Sequence, residues 1–228
     1  VVWFHIFEAF ATSHLDQRIN HGYLAVDFFF VLSGFVIGYA YDDRWNRMST
    51  GTFFKRRLIR LQPMVVMGSI VGAALFWFQD APCYPAMEGV SAGAVLLVML
   101  LGCTLLPLPL KWDVRGWMEM HPLNGPAWSL YYEYIGNILY ALFIRKFSKT
   151  ALTVLVAIAA CFTVHRCLTA PAGDIVGGWA LNWEQQYVGL VRLMYPFFGG
   201  LLLSRLGWLI RTRKNAFGWC SLMIIAVL

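Results

Sequence analysis

The stretch FKRRLIRLQPMVVMGSIVGAALFWF, residues 54–78, indicates the fold class, because a basic cluster leads directly into a long apolar run. The run at 64–78 is one of eight, and none shows the strict alternation of barrel strands. A helix satisfies its own backbone hydrogen bonds in lipid. The sequence therefore predicts an all-α, multi-pass transmembrane helix bundle with seven to eight apolar segments. The eight runs lie near 1–12, 24–41, 64–78, 92–110, 127–144, 150–169, 187–210 and 216–228.

The composition excludes several other classes of protein. The chain has 228 residues, of which 59% are hydrophobic and 13% charged, against roughly 45–50% and about 25% in soluble domains. These values exclude a disordered chain, a coiled coil and a fibrous repeat, and they argue against an ordinary soluble domain. The net charge is +6, but the basic residues cluster between apolar runs, as in the cytoplasmic loops of membrane proteins. The expected partner is a lipid bilayer and not a nucleic acid.

The chain both begins and ends within an apolar run, at Val1 and at Leu228. Residues 1–12 would form a helix only about 18 Å long, which is too short for a hydrocarbon core of about 30 Å. We therefore expect residues 1–228 to be a single membrane domain that is truncated at both ends.

The loops predict an orientation. Basic residues place 43–62, 145–149 and 211–214 inside, whereas 79–91 and 170–186 contain no Lys or Arg and are expected outside. Two apolar runs lie between the outside loop at 79–91 and the inside loop at 145–149. Two full crossings would return the chain to the outside, which conflicts with the basic residues at 145–149. We therefore predict that residues 107–128, which contain four prolines, form an irregular or re-entrant element that lines a site.

His5 is a candidate functional residue because it lies within the apolar sequence VVWFHIF. Ionisable groups inside membrane spans are costly and tend to be functional. A neutral imidazole can accept a proton from a hydroxyl near neutral pH, as a general base does. Glu8 follows three residues later on the same helical face. It could orient the imidazole or lie near the interface, and we favour the second interpretation.

Other charged residues have two interpretations each. Glu133 is the single acid of its run and could be functional or form a structural hydrogen bond between helices. Arg57 and Arg60 are three apart and could hold phosphates bidentately. As an isolated pattern, they more often determine topology or contact lipid headgroups. Asp27 could be favoured by the helix dipole or belong to a site.

Small-residue pairs at G-x-x-x-G spacing, Gly34/Gly38 and Gly68/Gly72, suit close helix packing. No metal-site spacing is present: His14, His21 and His121 lie in loops without a supporting motif, and the five cysteines form no C-x-x-C pair. We predict no metal.

Taken together, these segments resemble the acyltransferase 3 family of integral membrane O-acyltransferases. The matching pieces are His5, the stretch GYLAVDFFFVLSGF at 22–35, the stretch FKRRLIRLQP at 54–63, and NGPAWSL at 124–130 with Glu133 following. The block that joins Asp27, the aromatic residues and Ser33-Gly34-Phe35 is the most specific. This sequence has Pro126-Ala127 where family members commonly have His-Thr.

The resemblance implies that the protein moves an acyl group, often acetyl, from acyl-CoA (acetyl-CoA) to a hydroxyl of a glycan or a similar acceptor. It implies a multi-pass location in a cell membrane, as in the bacterial cytoplasmic membrane. It also implies that His5 is the catalytic histidine, with Glu133 orienting it or balancing its charge. Arg57 and Arg60 would bind the donor, and Asp27, Asn124 and Trp128 would bind the acceptor substrate.

One alternative stays open from the residues themselves. A polar-solute transporter or flippase could use the same buried His, Glu and Arg residues as a pathway. No inverted repeat supports it. A non-catalytic membrane scaffold would also fit the apolar composition.

Overall fold

A computed structural model describes residues 2–8, 10–17, 20–79, 89–207 and 215–227 of the chain. Over these residues the structure contains α-helices and short 3-10 turns, and no strand. The predicted all-α class is therefore confirmed. The helices are α1 Val2–Glu8, α2 Leu24–Tyr41, α3 Thr50–Phe78, α4 Ala92–Gly102, α5 Ala127–Leu142, α6 Lys149–Thr169, α7 Trp183–Leu206 and α8 Ala216–Val227.

Four helical segments are long and apolar enough to cross a membrane: Leu24–Arg47, Thr50–Phe78, Lys149–Thr169 and Trp183–Leu206. Ala92–Gly102 is apolar but shorter. The predicted inside loop at 211–214 lies outside the described residues, as does most of the predicted outside loop at 79–91.

The basic cluster before residue 64 lies in a helix and not in the loop that the sequence predicted at 43–62. Residues Asp42–Arg47 form a 3-10 turn, and α3 begins at Thr50. Ser49 caps this helix, because its side chain accepts a hydrogen bond from the backbone N–H of Thr52 at 3.2 Å. The helix then continues through Pro63. The basic residues are therefore distributed around a helix, where burial can differ from one to the next.

The apolar run at 92–110 also ends earlier as a helix than its composition suggests. Helix α4 stops at Gly102, and Leu105 has a positive φ of 62°, a conformation uncommon for a residue with a branched side chain. With its 11 residues, α4 is only about 16 Å long. That length is too short to cross a hydrocarbon core of about 30 Å.

The segment between α4 and α5 is irregular apart from a 3-10 turn at Leu110–Trp112, which confirms the non-helical character predicted for most of 107–128. Its backbone makes its own hydrogen bonds: the N–H of Leu108 donates to the carbonyl of Met120 at 2.9 Å. Asp113 accepts backbone N–H bonds from Arg115 and Glu119. Such pairing is what a non-helical segment needs in order to enter a membrane.

The chain divides into two compact units. The first contains 1–41, 148–176 and 195–228, and the second contains 42–147 and 177–194. In the first unit, α2 packs closely against the second half of α7. A Cβ added to Gly34 would overlap the carbonyl oxygen of Phe197, and one added to Gly200 would overlap that of Val31. The close packing predicted at Gly34 is confirmed.

In the second unit, the Gly68/Gly72 pair brings α3 close to the irregular segment, and not to another helix. A Cβ added to Gly72 would overlap the carbonyl oxygen of Leu123, and one at Gly68 would lie 2.6 Å from the Asn124 side chain. An apolar cluster surrounds this contact, formed by Ala73, Phe76, Val95, Val98, Leu108 and Leu123. The irregular segment is thus held against α3 and α4 by backbone contact and by burial.

We expect the segment that carries Lys111 to return to the outer side, because α4 is too short to cross and α5 must end at the inner loop. In a cysteine-free background, a membrane-impermeant maleimide applied to intact cells should label Lys111→Cys. It should label Lys146→Cys only after permeabilisation. Labelling of Lys111→Cys from the inner side alone would show that α4 and its extension cross the membrane.

Candidate active site

A buried ion pair joins α3 to α5 in the second unit. The guanidinium Nη2 of Arg57 lies 2.5 Å from Oε1 of Glu133, and the two side chains are 1% and 15% exposed. Arg57 is buried because it belongs to the stripe of α3 that also contains Phe53, Leu61 and Val65, each spaced by four residues. A charge in such a place needs an opposite charge and hydrogen bonds, and Glu133 supplies the opposite charge.

Further polar side chains surround this pair. Asn137, one turn after Glu133, is buried and donates from its Nδ2 to the backbone carbonyl of Glu133 at 2.8 Å. Gln62 donates to the carbonyl of Cys103 and accepts from the Tyr134 hydroxyl at 3.5 Å. These bonds connect α3, α5 and the residue that follows α4. The polar residues of α3 therefore join these parts of the second unit around the Arg57–Glu133 pair.

Arg57 and Arg60, which the sequence predicted to act together on a donor, lie in different environments. Arg57 is fully buried against Glu133, whereas Arg60 is exposed. A spacing of three residues corresponds to a rotation of about 60° around the helix axis. That rotation is enough to place Arg57 toward the core of the unit and Arg60 at the edge of the core, where it is exposed.

In the first unit, His5 is paired with Glu8. The imidazole Nδ1 lies 2.7 Å from Oε2 of Glu8, and more than half of each side chain is exposed. The ring of Phe4 contacts the imidazole edge-on, with centroids 5.2 Å apart. When Nδ1–H donates to the carboxylate, Nε2 carries the lone pair and can accept a proton. This is the arrangement of a carboxylate-oriented general base.

The carboxylate that contacts His5 is therefore Glu8, for which the sequence analysis favoured a position near the interface. The spacing of three residues was the signal that identified it as a candidate. Glu133, which the resemblance assigned to the imidazole, contacts Arg57 within the second unit. The catalytic roles of His5 and Glu133 stay predictions.

The three residues predicted to bind the acceptor are placed as follows. Asp27 is half-buried in the first turn of α2. Asn124 donates from Nδ2 to the carbonyl of Val65 at 3.3 Å. Trp128 is buried, with the guanidinium of Arg192 5.0 Å from its ring centroid. Asn124 and Trp128 both belong to the second unit, and each of them contacts a neighbouring element.

Arg192 is a residue for which the sequence analysis gave no role in a site. It is 2% exposed and donates from Nη1 to the carbonyl of Gly177 at 3.1 Å. Gly178 has a φ of +111°, and a Cβ there would lie 2.7 Å from the Trp128 ring. A glycine is required because the backbone must approach the ring and adopt this conformation. Arg192 and residues 177–178 thus fix the position of Trp128.

His121 is buried, with 2% of its surface exposed, and its ring nitrogens make no hydrogen bond within the described residues. Burial lowers the pKa of His121 to about 4, so the ring is neutral at physiological pH. No group of three or more His, Cys, Asp or Glu residues that could hold a metal occurs in the part of the chain that the structure describes.

Comparison with known proteins gives one family and two relatives. A family model described as an acyltransferase domain matches residues 1–228. The Protein 2 in picA locus of Rhizobium radiobacter is 33% identical over 126 residues, which are 52% of this chain and 64% of that protein. Acyltransferase MdmB of Streptomyces mycarofaciens is 27% identical over 144 residues, which are 61% of this chain and 34% of that protein. No solved structure matches. The matched part is thus less than two thirds of either relative.

Removal of one partner of the Arg57–Glu133 pair should destabilise the protein strongly, because the other charge stays buried without its counterion. We expect Glu133→Ala or Arg57→Ala to cost about 3–5 kcal/mol each. The double variant should cost less than the sum of the two. Unfolding of the purified protein in mixed micelles measures these values, with the exposed Arg60→Ala as control. Additive losses would mean that the two side chains do not interact.

Proposed function

This chain belongs to the acyltransferase 3 family, and from that premise we propose that the protein is a membrane O-acyltransferase. It transfers an acyl group, acetyl in the simplest case, from acyl-CoA to a hydroxyl of a glycan or similar acceptor. The observation that carries the proposal is the His5–Glu8 pair, because it provides an oriented imidazole at the histidine for which the resemblance implies a catalytic role. The four apolar helices support a location in a membrane.

In the proposed reaction, His5 Nε2 removes the proton from the acceptor hydroxyl, and the oxygen attacks the carbonyl carbon of the thioester. The carbon–sulfur bond then breaks, and the CoA sulfur leaves with the electron pair and takes up the proton from the imidazolium. Glu8 holds Nδ1 at 2.7 Å and balances the positive charge while it exists. An acyl-histidine intermediate would use the same nitrogen in two steps.

The two arginines of the donor motif have different parts in this proposal. Arg60 is exposed on α3 and can present its guanidinium to the phosphates of the donor. Arg57 is held by Glu133 and fixes α3 against α5. Arg57 is therefore a positioning residue for Arg60. For the acceptor, Asp27 and Asn124 are proposed as polar contacts, and Trp128 as an apolar wall that Arg192 holds in place.

The role of His5 can be tested with purified full-length protein, radiolabelled acetyl-CoA and the polysaccharide fraction of the host cell. His5→Ala should lower formation of alkali-labile acetyl ester at least 100-fold, which is the low end of general base catalysis of about 10²–10⁴-fold. Glu8→Gln should lower kcat about tenfold with little change in KM, because it orients the imidazole. His165→Ala, an exposed histidine of α6, is the matched control. More than half of the activity left in His5→Ala would contradict the proposal.

The donor contact can be tested with two thioesters. Arg60→Ala should raise the KM for acetyl-CoA about tenfold, as expected for loss of one charge-assisted contact of about 1.4 kcal/mol. The KM for S-acetyl-N-acetylcysteamine, which has no phosphate, should be unchanged. Arg44→Ala, which alters an exposed arginine in the preceding turn, should change neither. An equal rise for both thioesters would show that Arg60 does not contact the phosphates.

A further inference from the structure

An apolar groove runs along the outer surface of α3 and contains Pro63. Its volume is about 720 Å³, and its lining is apolar with the exception of Gln62. Pro63 is one of the lining residues, and as a proline it has no N–H to donate to the carbonyl of Ile59. The lining residues are Leu58, Ile59, Gln62, Pro63, Val66, Met67, Ile70 and Val71.

The groove lies within a helix that can span a membrane, Thr50–Phe78. From Leu58 to Val71 the helix rises about 20 Å, which exceeds one leaflet of a hydrocarbon core of about 30 Å. Several lining side chains are about half exposed, among them Met67 and Ile70. The groove therefore has the length and the chemistry to hold an alkyl chain from one leaflet.

Two exposed basic residues lie at the beginning of the groove. Lys55 precedes Ile59 by four residues, and Arg56 precedes Pro63 by seven, so both project from the face that forms the groove. Neither makes an ion pair with any residue in the described ranges. Arg57, by contrast, points to the buried side. The charged end of the groove is thus complementary to an anion.

The position of the charges relative to the apolar lining distinguishes between two amphipathic ligands. In acyl-CoA, a pantetheine arm with two amides separates the phosphates from the acyl chain. Gln62, the polar residue of the lining, is already bonded to the Cys103 carbonyl and the Tyr134 hydroxyl. The rest of the lining is apolar and leaves the amides of the arm without hydrogen-bond partners. In a phospholipid, the acyl chains begin a few atoms from the phosphate. The phospholipid therefore matches α3, where the charged residues are followed directly by the apolar lining of the groove.

We propose that the groove on α3 is a binding site for an anionic phospholipid of the inner leaflet. The headgroup phosphate contacts Lys55 and Arg56, and one acyl chain lies along the groove past Pro63. Basic residues next to a membrane span mark the inner side of a membrane, and each such residue near the surface favours anionic lipid. The test of this lipid site measures binding and does not depend on acyl-transfer activity.

The test compares phosphatidylglycerol with phosphatidylcholine of the same acyl chains, by native mass spectrometry of the purified full-length protein. Phosphatidylglycerol should bind about tenfold more tightly. The double variant Lys55→Gln/Arg56→Gln should reduce that preference to within twofold. Val66→Trp, which fills the groove, should weaken binding of both lipids about tenfold. Glycerophosphoglycerol, which has the headgroup without acyl chains, should not compete.

Helix α6 provides a matched control, because it begins with exposed Lys149 and continues with exposed Val154. Lys149→Gln and Val154→Trp should leave the preference and the affinity unchanged. Equal binding of the two lipids by the unaltered protein would overturn the proposal. A preference for phosphatidylglycerol that survives Lys55→Gln/Arg56→Gln would also overturn it. The same holds if the α6 variants reduce lipid binding as much as the α3 variants do. A Val66→Trp variant that loses a dimer but keeps the lipid would show that the groove is an interface between copies of the chain.

Discussion

The ion pair between Arg57 and Glu133 is the constraint on which the second unit depends. Both charges are largely removed from solvent, and in such an environment each is tolerated only while the other is present. The pair fixes the rotation of α3 about its axis, because Arg57 must point toward α5. Every other residue of α3 then takes the face that this rotation gives it.

The basic cluster of α3 shows the consequence. In the sequence, Lys55, Arg56, Arg57 and Arg60 form a single feature, but a helix separates them by 100° per residue. Arg57 faces the core, Lys55 and Arg56 face the apolar groove, and Arg60 is exposed at the edge. One residue of the cluster thus contacts a carboxylate of the same chain, and the proposals assign a lipid headgroup to Lys55 and Arg56 and the donor phosphates to Arg60.

The candidate base is built in a different way, from a pair that is local in sequence. His5 and Glu8 contact each other across one helical turn, so their geometry depends on α1 alone. The surroundings of Trp128 depend instead on residues far apart in the chain, because Gly178 and Arg192 contact its ring from beyond α6. A substitution at Arg192 can therefore change the position of Trp128, although the two residues are far apart in the chain.

The sequence by itself determined the helical class, the irregular segment before α5 and the close packing at Gly34. Each follows from composition, proline content or a spacing of three to four residues, all of which act over short distances along the chain. For His5 and Glu8 it gave the spacing but favoured a position of Glu8 near the interface, and the structure showed their contact. The tertiary structure decided that Glu133 pairs with Arg57, that Arg57 and Arg60 separate, and that the basic cluster begins inside α3. These features depend on which helix faces lie against each other, and a single sequence does not specify that contact between distant residues.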